Sequence, residues 1–308
     1  MNKNKMKVIP RYLKRRPIPF SLLIGILIFY AASCSAEEMS IKLKQPESEI
    51  DIRDQYVTSL LLSALDKTLD EFGSYKVHYA ASSMTPLREQ VMLAKGDQIN
   101  LSWFPAAQTL EFGDRLIPVP VPIMKGLLGY RVFLIHRKNQ EKFNTIHSLD
   151  ALRKLTVGQR EGWGDIGIFQ HNGFTVIEGN TYEGLFGMTV AGRFDYFSRG
   201  VSEALRELKE RQQDYPDLEL EQSILLYYPY PTFFYVNKRF PLLAQRIHTG
   251  LSEMLKDGSF DKLFIQYHGK QIEAAKLKKR KLFKLESKNL PDYVPLDKPE
   301  MWFNPLDF

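Results

Sequence analysis

The sequence predicts an α/β fold, and three observations predict it. From Ser148 onward, short apolar strands alternate with helices of crossover length, a rhythm that requires parallel strand pairing. Upstream, residues 51–72 carry apolar side chains at the spacing of a helix with one buried face, and residues 130–136 read as a strong buried strand. The length of 308 residues, 44% hydrophobic and 25% charged, is enough to bury a full core and favours two domains.

In chain order, Tyr56, Val57, Leu60, Leu61, Ala64, Leu65, Leu69 and Phe72 define the first helical face, and Gly73 ends it. A strand over 76–80 follows. Thr85 then caps a helix that Pro86 starts and Gly96 closes. Residues 99–103 make the next strand. Pro118, Pro120 and Pro122 alternate with Val119 and Val121, and since proline cannot donate to a ladder this is an extended edge segment. The strand over 130–136 is read as the exit from a first half of the molecule.

The second half opens with a helix over 149–154 and a strand over 155–159. A helix over 165–171 is stopped by Asn172 and Gly173, and a strand over 174–177 follows. A helix over 182–191, a strand over 193–197 and a charged helix over 201–212 complete the alternation. Strands over 218–228 and 232–236 flank a tyrosine- and proline-rich turn. Pro241 starts an amphipathic helix that Asp257 and Gly258 end, and another helix covers 260–267. The charge run Lys276, Lys278, Lys279, Arg280, Lys281 and Lys284 reads as the solvated face of a helix, and Trp302, Phe303, Leu306 and Phe308 as a terminus that packs back on the body.

The net charge of +6 is local. Lys3, Lys5, Lys7, Arg11, Lys14, Arg15 and Arg16 precede an apolar run and the small residues Ser33, Cys34, Ser35 and Ala36, the arrangement of a secretory signal peptide over 1–36. Removing those seven from 42 leaves 35 basic against 36 acidic side chains, which takes away the support for a nucleic-acid partner. An uncleaved membrane anchor and a lipid anchor at Cys34 remain open. Cys34 is the one cysteine, so the mature part has no thiol or disulfide chemistry.

No nucleophile elbow, zinc-protease helix or phosphate loop is present, and His78, His136, His147, His171, His248 and His268 lack metal-ligand spacing. No cofactor or metal is expected. What remains is the turn Gly162-Trp163-Gly164-Asp165, where glycines around a tryptophan at a strand-to-helix junction expose backbone N–H groups at a helix N-terminus. Asp165 is alternatively only the helix cap. Arg199, at the carboxyl end of a strand, has a planar fork suited to a carboxylate or phosphate, or pairs with Glu203 one turn on.

Taken together, the order Leu93-x-x-Gly96-Asp97, Tyr130 to His136, Ser148-Leu149-x-x-Leu152, Val157-Gly158-Gln159, Gly192-Arg193-Phe194-Asp195, Phe233 to Lys238 and Asp257-Gly258-Ser259-Phe260 resembles the extracytoplasmic solute-binding proteins of family 3. The resemblance covers about 41–268. It implies a two-lobed type II periplasmic-binding fold with two hinge strands and a ligand cleft between the lobes. Lobe 1 would be 37–137 plus 229–308 and lobe 2 138–228. Where family members that bind amino acids place an arginine, residues 102–115 offer none that aligns, and Arg199 and Gly200 stand where an aspartate would hold an ammonium group. The expected ligand is therefore a small polar, anionic solute, held by Trp103, Arg131, Gly162, Trp163, Gly164, Asp165 and Arg199, with Trp103 and Trp163 walling the cleft from opposite lobes. The expected role is non-catalytic binding by a periplasmic monomer that serves a membrane transporter or sensor. The alternatives are a dehydratase-like enzyme using Asp165, Asp195 or Glu161, and a sensory or scaffold module.

Overall fold

The computed structural model describes residues 38–45, 55–82, 84–106, 110–288 and 290–304. The signal-peptide and anchor readings, Cys34 included, and the apolar Leu306 and Phe308 lie outside them.

Strand β1 (Met39–Leu43) leads to helices α1 (Gln55–Asp66) and α2 (Leu69–Phe72). The single helix expected over 51–72 is broken at Thr68, whose hydroxyl turns back to Leu65 O at 2.9 Å. Buried Arg246 closes that break by donating to Leu65 O (3.2 Å), Thr68 Oγ1 (3.1 Å) and Gly73 O (2.8 Å), satisfying carbonyls that a helix end leaves open. Strand β2 (Tyr75–Tyr79) pairs parallel with β1. Helix α3 (Pro86–Lys95) begins and ends as its sequence dictates, with the Thr85 hydroxyl accepting from Arg88 N and Gly96 in the left-handed region at φ 73°. Strands β3 (Leu101–Pro105) and β4 (Leu116–Pro118) follow, the latter on a sheet edge where Pro118 is tolerated.

Strand β5 (Tyr130–His136) precedes the short helices α4 (Gln140–Asn144) and α5 (Leu149–Arg153). The predicted alternation then appears as β6 (Thr156–Arg160), α6 (Asp165–His171), β7 (Thr175–Gly179), α7 (Tyr182–Val190), β8 (Tyr196–Gly200) and α8 (Val201–Arg211). Strand β8 starts three residues later than expected. The N–H groups of Gly192 and Arg193 bond the end of α7 (Thr189 O and Met188 O), so they cannot enter a ladder. The expected long strand over 218–228 is two, β9 (Leu218–Leu220) and β10 (Ile224–Tyr227), because the buried Glu221 carboxylate caps the N–H groups of Ser223 and Ile224 between them.

The chain continues through β11 (Thr232–Asn237), α9 (Pro241–Lys256), α10 (Ser259–Ala274) and β12 (Lys281–Lys284). Helix α9 buries Leu243, Ile247, Leu251 and Met254. It meets α1 so closely that a Cβ on Gly250 would sit 2.0 Å from Ala64 O. The basic run is not a helix face. After α10 it turns at Lys276 (φ 51°) and forms β12, parallel to β10, while Arg280 is buried and donates to Ala275 O at 2.7 Å.

Among the described residues the strands form two larger sheets and the separate β1-β2 pair. The first holds β3-β11-β4, with the β1-β2 pair stapled to it by buried Asn100, whose N–H donates to Lys42 O and whose side chain binds Lys42 N (2.7 Å) and Ser40 O (2.9 Å). The second runs β12-β10-β5-β8-β6-β7, with β9 also on β5. Strand β5, read from sequence as the end of the first lobe, is thus central to the second sheet, and β12 from the tail joins that sheet too. Six of the seven β5 residues are buried, as a strand covered on both faces must be. One contiguous apolar core, from Ile41 and Leu60 through Ile123 and Leu127 to Val132 and Phe197, underlies both sheets.

Candidate functional site

A cavity of about 640 Å³ lies between elements of the two sheets. On the first side it is lined by Trp103 of β3, Thr232 of β11, Tyr56 of α1, and Tyr267 and His268 of α10. On the second side stand Arg160, at the end of β6, Trp163, and Tyr182 of α7. Arg199 of β8 and Glu203, Arg206 and Glu207 of α8 complete that wall. Of the residues expected from sequence, Trp103, Trp163 and Arg199 line this cavity; Arg131, Gly162, Gly164 and Asp165 do not.

The β6–α6 turn explains the division. Gly162 takes φ 80° at the turn tip, where a Cβ would meet nothing within 4 Å, and Trp163 N closes the turn on Arg160 O at 3.1 Å. Gly164 precedes the helix and gives no side-chain cap, so Asp165 is the first helical residue rather than the cap. Its buried carboxylate accepts from Arg131 Nη2 and the Tyr228 hydroxyl. The helix end expected to receive an anion already holds one of the protein's own. Burial works against the Arg131 charge, but Asp165, Tyr228 and Glu203 more than offset it and raise its pKa. Trp163 stays half-buried, stacked on Phe197 at 6.2 Å and 16°.

Arg199 lies within β8, not beyond its end. Its guanidinium donates Nε to Glu207 Oε2 at 2.7 Å and Nη2 to Glu207 Oε1 at 2.6 Å, a two-pronged pair in which Glu207 is 2% exposed. Nη2 is also 3.2 Å from Glu203, the partner named from sequence. The i, i+4 spacing of Glu203 and Glu207 puts both carboxylates on one face of α8, toward β8. Burial opposes ionisation of Glu207, yet Arg199 and the Tyr182 hydroxyl (2.6 Å) hold its pKa below the usual glutamate value. Burial and Glu207 together raise the Tyr182 pKa. The guanidinium also lies 4.8 Å from the Trp163 ring centroid.

The opposite wall is different. Thr232 is 4% exposed and its Oγ1 has no hydrogen-bond partner among the described residues; the same holds for Nε2 of His268. His268 packs edge-on against Tyr56 at 4.6 Å, and burial lowers its pKa to about 4, so it is neutral at ordinary pH. Sequence reasoning missed both residues, together with Arg160, Arg206 and Glu207. Among the described residues no group of histidine, cysteine and carboxylate side chains could hold a metal ion.

No family model matches the chain, and no curated protein matches it. Solved structures do. An arginine third transport system periplasmic binding protein from Legionella pneumophila aligns over 75% of this chain and 100% of its own, with a TM-score of 0.51 and 12% identity. An ancestral arginine-binding protein bound to arginine aligns over 74% and 97%, with a TM-score of 0.50 and 18% identity. The protein has the two-lobed periplasmic-binding fold. A histidine kinase sensor domain with similarity to periplasmic binding proteins shares it, over 76% of this chain and 96% of that one, with a TM-score of 0.50 and 13% identity.

Proposed function

We propose that the protein is an extracytoplasmic solute-binding protein of family 3 that holds a small polar, anionic solute in the cavity for uptake or sensing, without chemical turnover. The observation that carries this reading is the cavity itself, with Trp103 and Trp163 on opposite walls and three arginines beside two glutamates on one of them. The anion site moves from Arg199, whose charge Glu207 answers, to Arg160 and Arg206. Arg160 has no ion pair among the described residues, and Arg206 has only Glu210 at 3.6 Å, an exposed i, i+4 contact worth a few tenths of a kcal/mol. Non-catalytic binding is supported by the fate of the carboxylates an enzyme would need. Asp165 is held by Arg131 and Tyr228, Asp195 is held by Lys142 (2.6 Å) and Thr156 (2.8 Å), and neither they nor Glu161 lines the cavity.

The lobes proposed are the two sheets with their helices, so 130–136 and 281–284 go with the second. An extracytoplasmic place fits the basic and apolar leader, and among the described residues no helix is long and apolar enough to cross a membrane. The partner is a membrane transporter or sensor, approached by a monomer. Thermal melting of the full chain against a library of metabolites tests the reading. A rise in Tm with organic anions, reduced in Arg160→Ala and Arg206→Ala, supports it. No shift with any solute, on protein shown by native mass spectrometry to be empty, contradicts it.

A further inference from the structure

The same cavity carries information about the shape of its ligand, an inference that rests on the solute-binding reading above. Five of its lining residues are aromatic: Tyr56, Trp103, Trp163, Tyr182 and Tyr267. The three tyrosines have already committed their hydroxyls: Tyr56 to Ile123 O (2.7 Å), Tyr182 to Glu207 (2.6 Å) and Tyr267 to Ser59 (2.8 Å). What they offer a ligand is ring surface, which favours offset or edge contact with another ring.

The free polar capacity is small and divided. Arg160 and Arg206 supply positive charge on the second wall. Thr232 Oγ1 and His268 Nε2 supply two buried, unpartnered and uncharged hydrogen-bonding atoms on the first. A buried polar atom without a partner costs about 1–3 kcal/mol, which a ligand group or water reaching these two atoms, both on residues that line the cavity, would recover. The volume, about 640 Å³, sits within the roughly 300–1,000 Å³ of pockets for drug-sized molecules.

We propose that the ligand is a ring-bearing organic anion with a second, neutral polar group. The ring lies against Trp103 and Trp163, the anionic group faces Arg160 and Arg206, and the neutral group, a hydroxyl or carbonyl, is read by Thr232 and His268. Each part of this ligand meets a part of the cavity whose own hydrogen-bonding or charge is not consumed inside the protein. A compact aliphatic anion would leave the ring surfaces unused and reach only one side.

The test is isothermal titration of the full chain with four probes: 4-hydroxyphenylacetate, phenylacetate, 4-hydroxybenzyl alcohol and succinate. The expected order places 4-hydroxyphenylacetate first, with succinate and the neutral alcohol each at least about tenfold weaker, the factor that 1.4 kcal/mol represents. Phenylacetate should fall between. In Thr232→Val the advantage of 4-hydroxyphenylacetate over phenylacetate should vanish, and in Trp163→Leu the advantage of ring over succinate should shrink. Trp103→Leu serves the same purpose if the packing of Trp163 on Arg199 makes its replacement unfold the chain. Succinate binding as tightly as the ring anions overturns the ring assignment while leaving solute binding intact. A 4-hydroxyphenylacetate preference unaffected by Thr232→Val and by both tryptophan replacements overturns the assignment of residues. Failure of all four probes overturns the ligand class, and the broader library then decides separately whether the cavity binds any solute.

Discussion

On the wall built by β8 and α8, Arg199, Glu207 and Tyr182 turn their polar atoms on one another, whereas on the wall built by β11 and α10, Thr232 Oγ1 and His268 Nε2 have no partner among the described residues. The first arrangement is what burial demands of charge: an ion taken from water must be paired and hydrogen-bonded, and once it is, it holds the wall rigid. The second is what a pocket needs, since groups already satisfied inside the protein have nothing left for a ligand. The contrast gives the Arg199–Glu207–Tyr182 cluster a structural role, and leaves Thr232 and His268, with Arg160 and Arg206 across the cavity, as the groups proposed to meet a ligand.

The largest expected effect lies on the saturated wall. Arg199→Ala strands the Glu207 carboxylate and should cost about 3–5 kcal/mol in urea denaturation, while the double replacement Arg199→Met, Glu207→Leu should recover most of that loss. A cost under about 1 kcal/mol for the single variant would mean the pair is not what holds this wall.

Acid should separate the walls next. The folded pKa of His268, lowered to about 4 from 6.5 by burial, means that the unfolded chain takes up a proton before the folded one does. Stability is therefore constant above about pH 6.5 and declines by about 2–3 kcal/mol as pH falls to about 4. His268→Gln should flatten that limb. Glu207, with a folded pKa below its usual 4.5, contributes stability that is present above that value and lost as pH falls through the lowered one, so Glu207→Gln should lower stability at neutral pH and flatten the more acid limb. Denaturation curves from pH 7.5 to 3 check both, and a His268→Gln profile that matches the parent would remove His268 from the comparison.

The smallest expected effect is on the open wall. Thr232→Val deletes a buried hydroxyl with no partner among the described residues, so the ligand-free protein should change by less than about 1 kcal/mol, in either direction. A loss above about 2 kcal/mol would show that Thr232 has a structural partner.

Much of this fold is legible in the sequence because its signals are local. Thr85, Pro86 and Gly96 bound α3, Pro241 starts α9, and the strand–helix alternation from β6 to α8 follows the apolar spacing. What was not legible depends on pairing across the chain. Nothing within 130–136 reveals that β5 bonds β8 and β10, and a lysine-rich run says nothing of β12 lying beside β10. The site divides in the same way. Trp163 declares itself by the glycines beside it, and Glu203 by its spacing from Arg199. Thr232 and His268 sit in ordinary strand and helix context, and only the convergence of β11 and α10 on one cavity gives them meaning.

The most direct test is one comparison by isothermal titration, 4-hydroxyphenylacetate into the full chain and into Thr232→Val. Saturable one-to-one binding to the parent is expected, with binding to the variant weakened to the level of phenylacetate and the two proteins melting within a few degrees of each other. Equal affinity for both, or no binding to a parent shown to be empty, would contradict that expectation.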